Sequence, residues 1–243
     1  MSQQVLDDTK QRILDAAGPT FAERGFREAT VRDICQAAGV NLAAVNYHFG
    51  DKQRLYIESV KLAHRHLMQQ APLPEWPAGT PAEVKLHGFI YAFMCRVLSH
   101  GDNWQRRLMM REIGQPSAAC EEFVREYIQP QFRVLLGILD ELLPAGTPDV
   151  VRHRTAFSIV GQCLHYLIAR PIVRWLIPAD EFAQYTPDQL AAHVWRFSLT
   201  SLKAAAAGDQ PTTPPTPKLP PAVSDDDGAS AKPRSTQSSG DQA

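Results

Sequence analysis

The stretch from Thr30 to Lys52, TVRDICQAAGVNLAAVNYHFGDK, constrains the chain most. Thr30, with Asp33 three residues on, predicts a capping box at the start of a short helix. Val31, Ile34 and Ala38 recur at helical spacing and give that helix an apolar face. Gly39 is placed to take the left-handed backbone conformation that ends it. Asn41 predicts the cap of a second helix, in which Val45 and Phe49 share one face. Gly50 stops that helix, and Asp51 caps the next. Two short helices joined by a turn containing Gly form a helix-turn-helix, whose second helix enters the DNA major groove.

Position then assigns roles. Asn41, Leu42, Ala43 and Ala44, in the N-terminal half of the second helix, are expected to reach base edges. The small Ala43 and Ala44 permit close approach and contact with thymine methyls. Asn46 can pair with adenine or sit beside a phosphate, and the sequence leaves both open. The expected partner is double-stranded DNA. The formal net charge is −1, so the positive field that DNA needs must be local to one face.

Upstream, Thr9 predicts the cap of a first helix running to about Arg24, with residues 1 to 8 as a frayed arm. Ile13, Ala16, Ala17 and Phe21 form its stripe. Pro19, after Gly18, predicts a kink, and Gly25 predicts the end. That stripe has to pack across the helix-turn-helix, giving a three-helix domain over residues 1–54. Downstream, Asp51 to Gln70 reads as a long connecting helix with Leu55, Ser59, Leu62, Ala63 and Leu67 in register. Ala71 to Pro81 is a Pro/Gly-rich loop. Helical patterns follow at about 82–99, 104–113, 118–143, 148–169 and 187–206, with Pro130 and Pro171 marking kinks or ends. No stretch alternates with period two. The expected fold is all-α, with a C-terminal helical domain over residues 55–207, to which the resemblance described below adds ligand binding and dimerisation.

The 44% hydrophobic content suffices for a sizeable core. From Gly208 onward, seven prolines and the run Asp225-Asp226-Asp227 replace apolar residues, so 208–243 is expected to be disordered. No apolar run approaches the roughly 18 residues of a membrane span. The N-terminus has no apolar signal core. A cytoplasmic place is therefore expected, away from membrane, with Cys35, Cys95, Cys120 and Cys163 reduced and mostly buried.

Enzyme readings find little support. There is no GxSxG, phosphate loop or HExxH. His64 and His66 point to different faces of a helix, and the nearness of Cys163 to His165 is weak support for a metal. No metal, cofactor or catalytic residue is expected. A redox switch at Cys35 or Cys120 lacks the adjacent cation that lowers a thiol pKa.

Ile13, Ala16-Ala17, Phe21, Gly25, Thr30, Ile34, Ala38-Gly39-Val40, Phe49 and Lys52 resemble the DNA-binding signature of the TetR family of transcriptional regulators. The resemblance covers roughly residues 9 to 60. Asn46 departs from it, standing where many members carry tyrosine. The runs GVNLAAVNYHFGDK, IQPQF and VGQCLHYLIARP resemble the CecR/CerR-like branch, over most of residues 85–203. The resemblance implies a homodimeric, ligand-responsive repressor that binds a palindromic operator and is released by a small-molecule effector. It implies that Thr30, Tyr47, His48 and Lys52 hold phosphates. Competing readings are that Tyr47 and His48 only pack or face solvent.

The resemblance also implies a pocket in the C-terminal half. Aromatics with a few polar groups suit one, and the candidates are Trp104, Arg111, Phe123, Tyr127, Gln162 and Tyr166. Plain core is the competing reading for each. Arg106, Arg107 and Arg111 could neutralise an acidic ligand; the competing reading, taken for Arg106 and Arg107, is a solvated helix face. The last two long helices are apolar on two sides, so one side of each is expected to meet a second copy. The expected interface holds Phe157, Val160, Gly161, Leu164, Trp195, Leu199 and Leu202. A rival function is a ligand-gated activator or dual regulator acting through the acidic, Pro-rich tail. A second rival is an enzyme with an incidental helix-turn-helix.

Overall fold

The stripe of Ile13, Ala17 and Phe21 is fully buried and founds the first of two cores. The structure, a computed structural model, describes residues 3–98, 103–117 and 120–208. The expected disorder of the tail lies outside these residues, apart from Gly208. Among the described residues there is helix and no strand. The first helix, α1, spans Gln3–Glu28. It begins before Thr9, so residues 3 to 8 continue the helix instead of fraying. It runs through Pro19, and its break falls at Gly25, with φ 75° and ψ 174°. Gly18 has a packing reason. A Cβ there would meet the Trp104 ring at 2.4 Å, so only glycine lets the indole lie against α1.

Next come α2 (Val31–Ala38), α3 (Leu42–Phe49) and the connecting helix α4 (Lys52–Gln70). Ile34, Val45, Phe49, Leu55 and Val60 join the stripe of α1. The same core takes in Leu108 and Met109 of α6 (Trp104–Gly114). The first core therefore extends past residue 54, through α4 and into α6.

The second core lies among α5 (Ala82–Leu98), α8 (Gln129–Leu142), α9 (Asp149–Ile168) and α12 (Pro187–Ala206). Leu86, Ile90, Met94, Leu135, Leu139, Ile159 and Val194 fill it. The pattern at 118–143 is not one helix. A short α7 (Cys120–Phe123) leads into a π-helical turn, Val124–Ile128, before α8. Pro130 stands in the first turn of α8 and has no N–H to continue the ladder. Across the widened turn the Gln129 N–H donates to the Val124 carbonyl.

After α9 the chain bends by 73° into α10 (Arg170–Leu176), with Pro171 in its first turn. A further short helix, α11 (Ala179–Phe182), precedes α12. Neither short helix was expected from the sequence pattern. Among the described residues no single helix is long and apolar enough to cross a membrane.

Candidate DNA-reading surface and effector cavity

The helix-turn-helix forms as its caps dictate. The Thr30 hydroxyl accepts from the Asp33 N–H at 3.1 Å, and the Thr30 N–H donates to Asp33 Oδ2 at 3.3 Å. Hydrogen bonds from Thr30 and the Arg24 guanidinium at 2.8 Å hold the Asp33 carboxyl below the usual carboxylate range. Gly39 has φ 64° and ψ 39°, left-handed. Asn41 caps α3 by accepting from the Ala44 N–H at 2.9 Å. Asp51 caps α4 through the Arg54 N–H at 2.7 Å.

With Val45 and Phe49 buried, the rest of α3 turns outward. Leu42 is 55% and Tyr47 72% exposed, and Asn41, Ala43 and Asn46 are also exposed. A large aromatic so exposed on a short helix suits contact with a partner. Ala44 and His48 are half-buried, and Ala44 packs against the first core. Lys52 is held from below: its Nζ donates to the Arg27 carbonyl at 3.3 Å and lies 4.9 Å from the Phe26 ring centroid. Thr30 is exposed, and its hydroxyl oxygen is already committed to the cap.

Arg12 was not singled out from the sequence. Its Nη2 donates to the Ala38 carbonyl at 2.7 Å and to the Gly39 carbonyl at 3.2 Å. α1 thus clamps the turn that aims α3. Nothing local marks this contact, because its ends lie 26 residues apart.

A cavity of about 240 Å³ opens between α4, α5, α6, α8 and α9. Met110, Phe132, Leu135 and Val160 line it, together with the polar His64, Arg96 and Gln131. Burial, with Arg96 and Arg65 nearby, pushes the His64 imidazole down to about 4. Burial likewise lowers Arg96, to about 10.

The six residues expected to line a pocket do not line this one. Trp104 lies on Gly18. Arg111 Nη2 donates to the Glu23 carbonyl at 3.0 Å, tying α6 to α1. Phe123 is buried and stacks on Tyr127, whose hydroxyl accepts from Arg65 at 3.1 Å. Gln162 donates to its own helix at the Ser158 carbonyl. Tyr166 packs edge-on against Tyr185. All but Gln162 serve the packing between helices. Arg106, read as a solvated face, lines the cavity instead.

The expected dimer residues also divide. Val160 and Leu164 line the cavity, with Phe157 at its edge. Trp195 Nε1 donates to the Glu83 carbonyl at 2.9 Å, and its ring meets His87. Leu199 and Leu202 are buried. These three turn toward their own chain because α12 packs that face on α5 and α9, so they do not offer a partner surface. Phe197 is on the outside, at 63% exposed, as are Phe157 at 62% and Gly161.

Helix α6 faces two ways. Leu108 and Trp104 sit against the DNA-reading helices, while Arg106, Met110 and Ile113 line the cavity. Glu112, 2% exposed, accepts from the Tyr56 hydroxyl of α4 at 2.7 Å and from the Ser117 N–H and hydroxyl at 2.9 Å. Farther along α4, Lys61 meets Glu122 and, at 2.7 Å, Glu126 of the π turn.

Among the described residues no cluster of His, Cys, Asp or Glu could hold a metal ion. Burial pushes the Cys163 thiol up to about 12 and raises those of Cys35 and Cys120, which suits packing and not reactivity.

A capped helix-turn-helix on an all-α body with an internal cavity defines a helix-turn-helix transcriptional regulator. A model described as "Bacterial regulatory proteins, tetR family" matches residues 13–58. Another, described as "HTH-type transcriptional dual regulator CecR, C-terminal domain", matches residues 82–204. The chain belongs to the TetR family, with a C-terminal domain of the CecR type. It is 29% identical over 117 residues to the HTH-type transcriptional regulator AcrR of Shigella flexneri, covering 46% of this chain and 50% of that one. It is 42% identical over 50 residues to the HTH-type transcriptional repressor AcnR of Corynebacterium efficiens, covering 21% and 27%. The chain thus spans half or less of the length of these relatives.

Solved structures match more of the length. A tetR-family regulatory protein from Rhodococcus RHA1 aligns over 83% of this chain and 98% of its own, with TM-score 0.58 and 17% identity. AibR, solved with isovaleryl coenzyme A and operator DNA, aligns over 78% and 97%, with TM-score 0.56 and 15% identity. At such identities the likeness is one of fold.

Proposed function

We propose that the chain is a ligand-responsive repressor that binds a palindromic operator as a homodimer and leaves it when a small molecule fills the cavity. The repressor role is drawn from relatives such as AcnR, a named transcriptional repressor. The observation that carries the release step is the position of α6. Its Met110 and Ile113 line the cavity, while Leu108 and Glu112 lock onto α1 and α4. A ligand that shifts α6 has to shift the helices that carry α3. It needs only to bind the DNA-incompetent arrangement better than the competent one.

In this reading Leu42, Ala43 and Asn46 face bases, and Tyr47, His48, Thr30 and Lys52 face phosphates. The dimer face is the outer side of α9 and α12, with Phe157, Gly161 and Phe197. Their neighbouring groove holds Arg154, Ser158 and Ser201. Two helices from each chain then form a four-helix bundle.

The test pairs operator titrations with a panel of small molecules. A duplex selected from random sequence by the purified chain serves as operator. The comparison is between wild type and Leu164→Trp, which fills the cavity with bulk. An effector should weaken wild-type binding about 5- to 150-fold, the range of coupling between two sites, and leave Leu164→Trp unmoved. A compound that acts equally on both would place the effector site elsewhere.

The CecR-type match favours a second reading, since that model is described as a dual regulator. Activation by the tail would be lost on deleting residues 209–243, whereas repression by occupancy would survive.

A further inference from the structure

The cavity has apolar walls and a single deeply buried guanidinium. Arg96 is 7% exposed. Its Nε donates to the Ala71 carbonyl at 2.7 Å and its Nη1 to Gln131 Oε1 at 2.6 Å. These bonds fix the planar group on the cavity wall beside Gln131. Phe89, Phe93, Leu135 and Val160 form much of the remaining wall. Among the described residues no Asp or Glu lines the cavity. His64 is uncharged at neutral pH, so it adds a polar edge and no charge.

We propose that the cavity takes a small, mostly apolar monocarboxylate, with Arg96 as the anchor for its anionic end. The inference rests on the cavity being the effector site. Three observations converge on it. A guanidinium offers a rigid fork that matches a carboxylate in bidentate fashion. Apolar walls exclude water, which strengthens attraction between opposite charges. A cationic ligand would meet Arg96 and Arg106 as like charges in the cavity lining. Size limits the tail. At roughly 30 Å³ for each water-sized group, about 240 Å³ holds about eight groups.

The test is calorimetric titration of the full chain at pH 7 with octanoate, 1-octanol and octylamine. All three share one tail and differ in the head. Octanoate should bind at least about tenfold tighter than octanol, and octylamine weakest. Arg96→Gln should erase the advantage of octanoate while octanol still binds, which shows the apolar walls intact. Arg96→Lys should restore part of that advantage.

Three results would overturn the proposal. Octanol equal to octanoate in wild type, or octylamine tightest, removes the carboxylate class and leaves the cavity standing as a site. An undiminished octanoate advantage in Arg96→Gln removes the anchor. Absence of binding by every probe to wild type removes the cavity as a ligand site, and the release mechanism with it.

Discussion

The Tyr56 hydroxyl donates to Glu112 Oε2 at 2.7 Å, joining the connecting helix to α6 through a carboxylate that is 2% exposed. Glu112 also takes two bonds from Ser117, so its charge is buried but well served. Burial and the neighbouring carboxylate push the Tyr56 phenol above its ordinary range, which keeps it a donor. Tyr56→Phe removes one donor from a buried carboxylate. It should lower unfolding free energy by about 1–3 kcal/mol in urea titrations. An unchanged midpoint and slope would show that Ser117 alone satisfies Glu112.

His64 sets a pH dependence. Its folded pKa of about 4 lies below the ordinary value near 6.5, because burial disfavours the imidazolium beside Arg96 and Arg65. The unfolded chain binds that proton first as pH falls. Stability from neutral His64 is therefore complete above about pH 6.5 and is lost progressively down to about pH 4. The span is on the order of 3 kcal/mol. Urea unfolding at pH 7 and pH 5 should show a larger drop for wild type than for His64→Gln. Equal drops would mean that His64 protonates without penalty.

The turn of the reading motif offers a sharper test. Gly39 sits at φ 64°, with Arg12 Nη2 3.2 Å from where a Cβ would lie. Gly39→Val forces a β-branched side chain into left-handed backbone and against the Arg12 clamp. Operator binding should vanish while light scattering still reports the wild-type mass. Retained operator affinity would show that the turn tolerates distortion.

Base and phosphate roles separate on α3. Tyr47→Phe should weaken operator and scrambled duplexes alike, by about 1 kcal/mol for one hydrogen bond. Ala43→Leu should change sequence preference, because it adds bulk at an exposed position that the proposal turns toward base edges. Ala44 is the poorer probe, since it already packs on the first core. Reversed effects in duplex titrations would exchange the two roles.

The DNA-reading motif was legible because its signals are local. Thr30, Asp33, Gly39, Asn41 and Asp51 each act within four residues, so spacing alone predicts their bonds. The cavity was not legible. His64, Arg96, Gln131 and Val160 meet only through the packing of four helices, and no local spacing encodes that meeting. The two apolar faces of α12 were visible, but not which of them turned inward. Trp195, Leu199 and Leu202 turn inward, but so do Leu190 and Val194 of the other face, and Phe197 is left outside. The π turn escaped because periodicity runs smoothly through Pro130, whereas the missing N–H widens the turn.

The outer faces of α9 and α12 present Phe157 and Phe197 to solvent. Phe157→Asp with Phe197→Asp should split a dimer built there. Both positions are exposed, so the circular dichroism signal should stay helical. A species of dimer mass by light scattering would move the interface elsewhere.

Sedimentation of the purified chain with its selected duplex tests the central claim most directly. A repressor that reads a palindrome through two α3 helices needs half-sites about 34–36 Å apart, one turn of DNA or a multiple of it. The predicted result is two chains, or a multiple of two, on one palindromic duplex, with protection of both half-sites. A single chain on a single unrepeated site, or selection that recovers no sequence, would contradict the account.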